Sequence, residues 1–210
     1  MKSAKKKVPA RAGKERVECD LCSHFACAKA KDCYGSRQKT LTRYRSDESA
    51  LALARAAAEV ESRFYGAATR VEEILRYAEA LGVERLGVAF CIGMKEEARV
   101  FCDLMRRRFE VRSVCCKNAS VPKAKFEMPH VREVKRENMC NPIGQAELLN
   151  RAETDLNVAI GLCVGHDALF FRNSDAPVTV LIAKDRVLAH NPVGALTCPY
   201  TLRRLRDEVF

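Results

Sequence analysis

Twice in this chain a short apolar run ends in Cys, an aliphatic residue and Gly, and then passes into a helical pattern: GVAFCIGM around Cys91 and AIGLCVGH around Cys163. A strand that short, leading directly into a helix, is half of a β-α-β unit, and such units assemble parallel sheets whose helices cover the faces. The pattern on either side agrees. Two helices are expected first, over Asp47 to Tyr65 and Val71 to Leu81, the second stopped by Gly82. Strands over Arg85 to Cys91 and Glu110 to Cys116 then flank a helix from Met94 to Phe109. Ser120 to Asn141 carries prolines and no clear period, which predicts a long loop. Beyond it the spacing predicts helix over Gly144 to Ala152 and strand over Leu156 to Cys163. A short helix over His166 to Phe171, strands over Val178 to Ala183 and Arg186 to His190, and a helix near Thr201 to Val209 complete the order. The expected architecture is α/β: an open, mostly parallel sheet with helices on both faces, preceded by a small Cys-rich N-terminal segment.

Ligands of open parallel sheets bind outside the carboxyl ends of the strands, where loops and helix starts gather. In this chain Cys91, Cys115 with Cys116, Cys163 and His190 fall at those ends. A thiol facing the positive end of a helix is shifted toward thiolate, the form that binds metal or attacks an electrophile. Buried Cys is also an ordinary small core residue, and one strand-end thiol decides nothing. Three at one edge favour a site. Cys140, just before Pro142 and a helix start, completes a set with Cys91, Cys116 and Cys163, and four thiolates suit tetrahedral zinc or an iron–sulfur cluster. Adjacent strand residues face opposite ways, so Cys115 belongs to this set less readily than Cys116. His166 is the candidate ligand or acid/base, with Asp167 to orient it; Asp167 serves equally as a helix cap. His190, before Pro192, is a second candidate or simply a strand end. Cys102 and Cys198 read as structural.

A second group stands at the front. Cys19, Cys22, Cys27 and Cys33 lie within CDLCSHFACAKAKDC, with His24 among them. A two-residue gap lets a pair of sulfurs meet one ion, so the stretch reads as a closed metal site of unassigned metal. It follows neither the zinc-finger nor the bacterial ferredoxin spacing.

All eleven cysteines occur without an export signal, and eleven is odd, so metal or redox chemistry is favoured over a disulfide framework. The first sixteen residues hold seven Lys or Arg against one acidic residue and lack the apolar run of a secretory leader. The expected location is therefore cytoplasmic. Charge-free stretches near Leu156 to His166 and Ala176 to Ala183 are far shorter than the roughly 20 residues that span a bilayer, so no membrane partner is expected. The tail accounts for +6 of the formal +10, leaving +4 for everything else. Without interleaved aromatics, residues 1–16 read as a disordered basic extension and not as a nucleic-acid arm. The expected organisation is this tail at 1–16, a Cys-rich segment at 17–40 and an α/β domain at 41–210.

The leading Cys-x2-Cys-x4-Cys, RVEEILRYAEALGVERLGVAFCIGM, MCNPIGQAELLN and TDLNVAIGLCVGHDALFF with APVTVLIAKDRVLAHNP together resemble an uncharacterised cysteine-rich family, a domain of unknown function in anaerobic bacteria and archaea, labelled as metal-binding. The resemblance runs from about Val17 to Tyr200. It implies one site at Cys19, Cys22, Cys27 and Cys33, with a shorter interval to Cys33 than the family's. It implies a second at Cys91, Cys116, Cys140, Cys163 and His166, and no role for Cys102, Cys115 or Cys198. It implies no reaction. The reading is a cytoplasmic metal-binding protein, iron–sulfur and redox-linked, with an unidentified electron-transfer or redox partner; the alternative is a non-enzymatic zinc or iron carrier, or a metal or redox sensor.

Overall fold

Four apolar runs lie side by side in the computed structural model, which describes residues 17–209. They are β1 (Arg85–Phe90), β2 (Glu110–Cys115), β3 (Leu156–Leu162) and β4 (Val178–Ala183), joined in the order β2-β1-β3-β4 with every pairing parallel. The register places Phe90 opposite Cys115 on one side and Ile160 on the other, so β1 and β2 end level and β3 runs on to Leu162. The shared carboxyl edge is what brings the residues after them together.

β3 is buried along its whole length, as an apolar run covered on both faces should be. Alternation sorts its side chains and those of β1. On one face Leu86, Val88, Val158 and Ile160 pack with Ile74 and Ala78 of α3 (Arg70–Ala80) and with Ala98, Phe101 and Met105 of α4 (Lys95–Met105). On the other, small Ala89 and Ala159 admit Ala146 and Leu149 of α5 (Pro142–Arg151) and Phe170 of α6 (His166–Asn173). Thr69 and Glu72 close a capping box that starts α3. The edge of β4 is blunted by Arg70, whose guanidinium donates to the Val180 carbonyl at 3.3 Å and to Thr179 Oγ1 at 2.9 Å.

The chain divides after Leu51 into two compact units. In the first are two 3-10 turns (Cys19–Leu21 and Ala26–Lys29), helix α1 (Arg37–Ser46) and the start of α2 (Glu48–Phe64). Helix α1 has no apolar period and escapes sequence reading; both Asp32 carboxylate oxygens fix its start by accepting from the amides of Ser36 and Arg37.

One expected strand is absent. Residues Arg186 to His190 form a turn, because the Asp185 carboxylate accepts from the amides of Val187 and Leu188 at 3.0 Å, and the Asp185 amide donates to His190 Nδ1 at 3.1 Å. His190 is therefore a turn closure, not a strand end. The expected helix from Met94 begins instead as a 3-10 turn, Ile92–Met94, before α4. The terminal helix is two short ones, α7 (Val193–Thr197) and α8 (Pro199–Arg204), followed by a π turn at Leu205–Val209. No helix among the described residues is long and apolar enough to cross a membrane. The expectation for the basic tail at 1–16 lies outside the described residues.

Gly87 is held against a polar network. A β-carbon there would lie 1.8 Å from Asn157 Oδ1, which accepts from Thr154 Oγ1, while Asn157 Nδ2 donates to Ser174 Oγ. Asn157 is fully buried and cannot swing away without orphaning those partners. Gly87→Ala should therefore lower unfolding free energy by about 1–3 kcal/mol, read by denaturant titration, and pairing it with Asn157→Ser should restore part of the loss.

Candidate functional site

The carboxyl ends of β1, β2 and β3 deliver three thiols to one edge. Cys91 follows β1 and extends its ladder, its amide donating to the Ile160 carbonyl at 3.0 Å. Cys116 follows β2 in the same way, its amide donating to Phe90 at 2.8 Å, and its sulfur accepts from the Ile92 amide at 3.3 Å. The end of β3 is shaped by Gly161, whose φ of +61° only glycine adopts easily and where a β-carbon would press Met94 Cγ at 2.5 Å. This close approach seats the turn after β1, through Met94, against the end of β3. The Cys163 carbonyl then accepts from the amides of His166 and Asp167, which opens α6.

Cys140 arrives from the long loop. The Asn141 amide donates to the Cys116 carbonyl at 2.8 Å, and Asn118 Nδ2 donates to the carbonyls of Cys115 and Asn141, both at 3.0 Å. Asn141 Nδ2 returns a bond to Asn118 Oδ1, and Asn141 Oδ1 caps α5 at the Gly144 amide. A β-carbon at Gly144 would strike both asparagines at 2.3 Å. Behind them the fully buried Gln145 donates to the carbonyls of Phe90 and Val114, tying the ends of β1 and β2.

Cys91, Cys116, Cys140, Cys163 and His166 line one cavity of about 320 Å³. Cys116 faces both Cys140 and Cys91, and its interactions with them, with burial, push its thiol up. Cys91 is pushed down toward thiolate, first by Cys116, then by the Gly93 amide and the charge of Lys184. Cys140 is pushed down by Cys116, then by His166 and Lys117. His166 is pushed up, because its bond to Cys140 favours the imidazolium more than burial opposes it. Arg186 Nη2 donates to Cys163 Sγ at 3.0 Å. Larger cavities, of about 480 and 500 Å³, contain no cysteine, so chemistry and not size marks the site.

The remaining candidates separate. The Asp167 carboxylate accepts from the Ala168 amide at 2.8 Å, in its own helix turn. Cys102 is buried in the core, and burial pushes it up; Cys115 packs against the same core. Cys198 caps α8, where the Thr201 amide pushes its thiol down. His130 Nδ1 lies 3.2 Å from the Val134 carbonyl. In the first unit the four front cysteines are exposed. The amides of His24 and Phe25, with Ala26, push Cys22 down, and Cys19 Sγ lies 3.4 Å from the Tyr34 hydroxyl. As placed, no three or more His, Cys, Asp or Glu among the described residues form a group that could hold a metal ion. Sulfur is the donor a thiophilic centre takes, and the cysteines at this edge are free thiols.

Sequence reasoning missed Asn118, Gln145 and the cations. Only Asn141 carried a signal, a capping residue before Pro142.

The family model described as "Protein of unknown function (DUF1847)" matches residues 27–181, which takes in every edge thiol and His166 but begins after Cys19 and Cys22. Its description assigns no ligand or reaction. An uncharacterized protein of Methanocaldococcus jannaschii is 42% identical over 192 residues, covering 91% of this chain and 99% of that protein. No solved structure matches.

The loop over the cavity is fastened by Lys123 and Glu137, paired at 2.7 Å beside an antiparallel bridge between Pro122 and Asn138. Lys123 holds the Glu137 carboxyl well below its usual 4.5, at about 2. A carboxylate whose folded value is depressed contributes stability in full above its unfolded value, and loses it as pH falls through the folded one. Wild type should thus exceed Glu137→Gln in urea midpoint at pH 7, with the difference narrowing below about pH 4.5 and vanishing near pH 2.

Proposed function

Since the chain belongs to the family described as "Protein of unknown function (DUF1847)", its role has to be argued from its own atoms, and we propose a metal-binding, redox-linked protein carrying an iron–sulfur cluster at the edge cavity, with zinc as the alternative ion. The observation that supports this reading is the meeting of Cys91, Cys116 and Cys140, from three separate connections, with Cys163 on the wall of the same cavity. Sulfur donors gathered from rigid strand ends are what a thiophilic centre needs. Ligation requires Cys116 to give up its proton and the sulfurs to turn from one another toward a common centre. A bound cluster would supply one-electron transfer, and its partner would be an electron-transfer or redox protein. The chain's own contribution is to hold that edge. Asn118 and Asn141 fix the backbone of Cys116 and Cys140, Gly161 keeps the β1 turn close, and His166 faces Cys140, which raises its pKa.

The alternative, a carrier or sensor of zinc or iron, is favoured by the front cysteines, which are exposed and hence open to exchange. Cys22, ringed by the amides of His24, Phe25 and Ala26, is the thiol best prepared there for an ion.

Protein purified without oxygen should be brown and contain iron with acid-labile sulfide. Cys140→Ser and Cys91→Ser should each lose most of that absorbance, whereas Cys102→Ser should keep it. Colourless protein with zinc would replace the cluster by the alternative ion, and protein without either metal would overturn both. Metal that a chelator removes readily, without unfolding the chain, would favour the carrier.

A further inference from the structure

The edge cavity holds more fixed positive charge than its thiols use. Lys117 and Arg186 line it, and Lys184 stands beside it at the Cys91 turn. Lys184 Nζ lies over the Cys91 turn, 3.5 Å from where a side chain on Gly93 would begin, and Arg186 reaches Cys163 from the turn after β4. Lys117 Nζ spends one donor on the Asn138 carbonyl at 2.6 Å. None of the three makes an ion pair with a carboxylate among the described residues.

Nearby carboxylates are already engaged. Glu137, on the cavity wall, is paired with Lys123, which cancels both charges. Asp185 faces the amides of Val187 and Leu188, and Asp167 faces that of Ala168. Asp185 and Asp167 keep their charge but do not line the cavity, whose lining carries Lys117 and Arg186 without a carboxylate partner, with Lys184 beside it. Unneutralised cations around a half-enclosed cavity focus a positive field into it and raise the local concentration of anions. A volume near 320 Å³ falls at the small end of ligand sites.

We infer that the edge cavity receives a small anionic ligand, a carboxylate or oxyanion, which Lys184 and Arg186 hold against the sulfurs of Cys91, Cys140 and Cys163. This rests on the reading above only in taking the edge cavity as the working site; it does not need that site to hold metal. Guanidinium and ammonium suit the task differently: Arg186 can grip two oxygens in a plane, and Lys184 serves as a point charge.

Iodoacetate and iodoacetamide test this directly. Each forms an S–CH2 bond at a thiolate and releases iodide, and they differ in charge, so their rate ratio at one sulfur cancels that sulfur's ionisation. The full reduced chain, freed of metal by a chelator, is treated with each reagent, and modification is followed by peptide mass spectrometry. At Cys140 the iodoacetate to iodoacetamide ratio should exceed that at exposed Cys22 by about tenfold, the low end of electrostatic focusing. It should fall to the Cys22 value in Lys184→Gln/Arg186→Gln, and in wild type near 1 M salt, where the Debye length is about 3 Å. A wild-type ratio no higher than at Cys22 overturns the inference, as does a raised ratio that survives the double substitution or high salt. Should the double variant misfold, the salt series on wild type decides. Metal and sulfide content, measured separately, tests the cluster and leaves this ratio unaffected.

Discussion

The amide of Asn141 donating to the carbonyl of Cys116 is the contact on which the edge site depends. Strand pairing alone would bring Cys91 and Cys116 level and Cys163 to the same carboxyl edge, two residues further along. It would not bring Cys140, which belongs to no strand and sits at the far end of a long loop. The Asn141 bond carries Cys140 to Cys116, and the asparagine pair Asn118 and Asn141, 23 residues apart, keeps it there. Loop closure of that kind costs entropy, which the flanking backbone bonds and the cap on α5 offset together. The same peptide thus ends the loop, starts α5 and positions a thiol.

Small residues matter for the same reason. Gly161 allows the end of β3 to press on Met94, Gly144 leaves room for both asparagines, and Gly87 accommodates Asn157 at the opposite end of the sheet. Each is a place where backbone or polar groups approach more closely than a β-carbon permits. The two turns that look alike in sequence, around Cys91 and Cys163, part company here. The first is a 3-10 turn that leaves Ile92 half exposed but plants Met94 in the core; the second passes through Gly165 at φ +84° and leaves Val164 almost fully exposed. Cys91 is accordingly buried with Cys116, while Cys163 stands nearer the opening and meets Arg186.

Much of this was legible in the sequence, where local pattern and physical cause coincide. The four strands of the sheet follow from their apolar runs, and the convergence of their ends follows from parallel pairing. What escaped depends on contacts made across the fold. Nothing in RQKTLTRYRS announces a helix, since all of α1 is exposed and its start is fixed by Asp32. Apolar residues in Arg186 to His190 suggest a strand, but an aspartate cap and a histidine ring bend that segment into a turn. Asn118 and Gln145 are ordinary polar residues until the fold buries their side chains against carbonyls far away in sequence.

Thiol and cation belong to one electrostatic arrangement at this edge. Burial alone would keep Cys91 and Cys140 protonated, as it does Cys102 in the core. They are driven the other way by bonds from Cys116 and His166 and by the charges of Lys117 and Lys184. Cations close enough to stabilise a thiolate also extend their field into the cavity that the thiolate faces. The front cysteines lack that setting: Cys22 owes its shift chiefly to backbone amides, which stabilise a sulfur locally and project little charge beyond it. Of the two cysteine groups, the edge is therefore the one whose surroundings can draw in an anion.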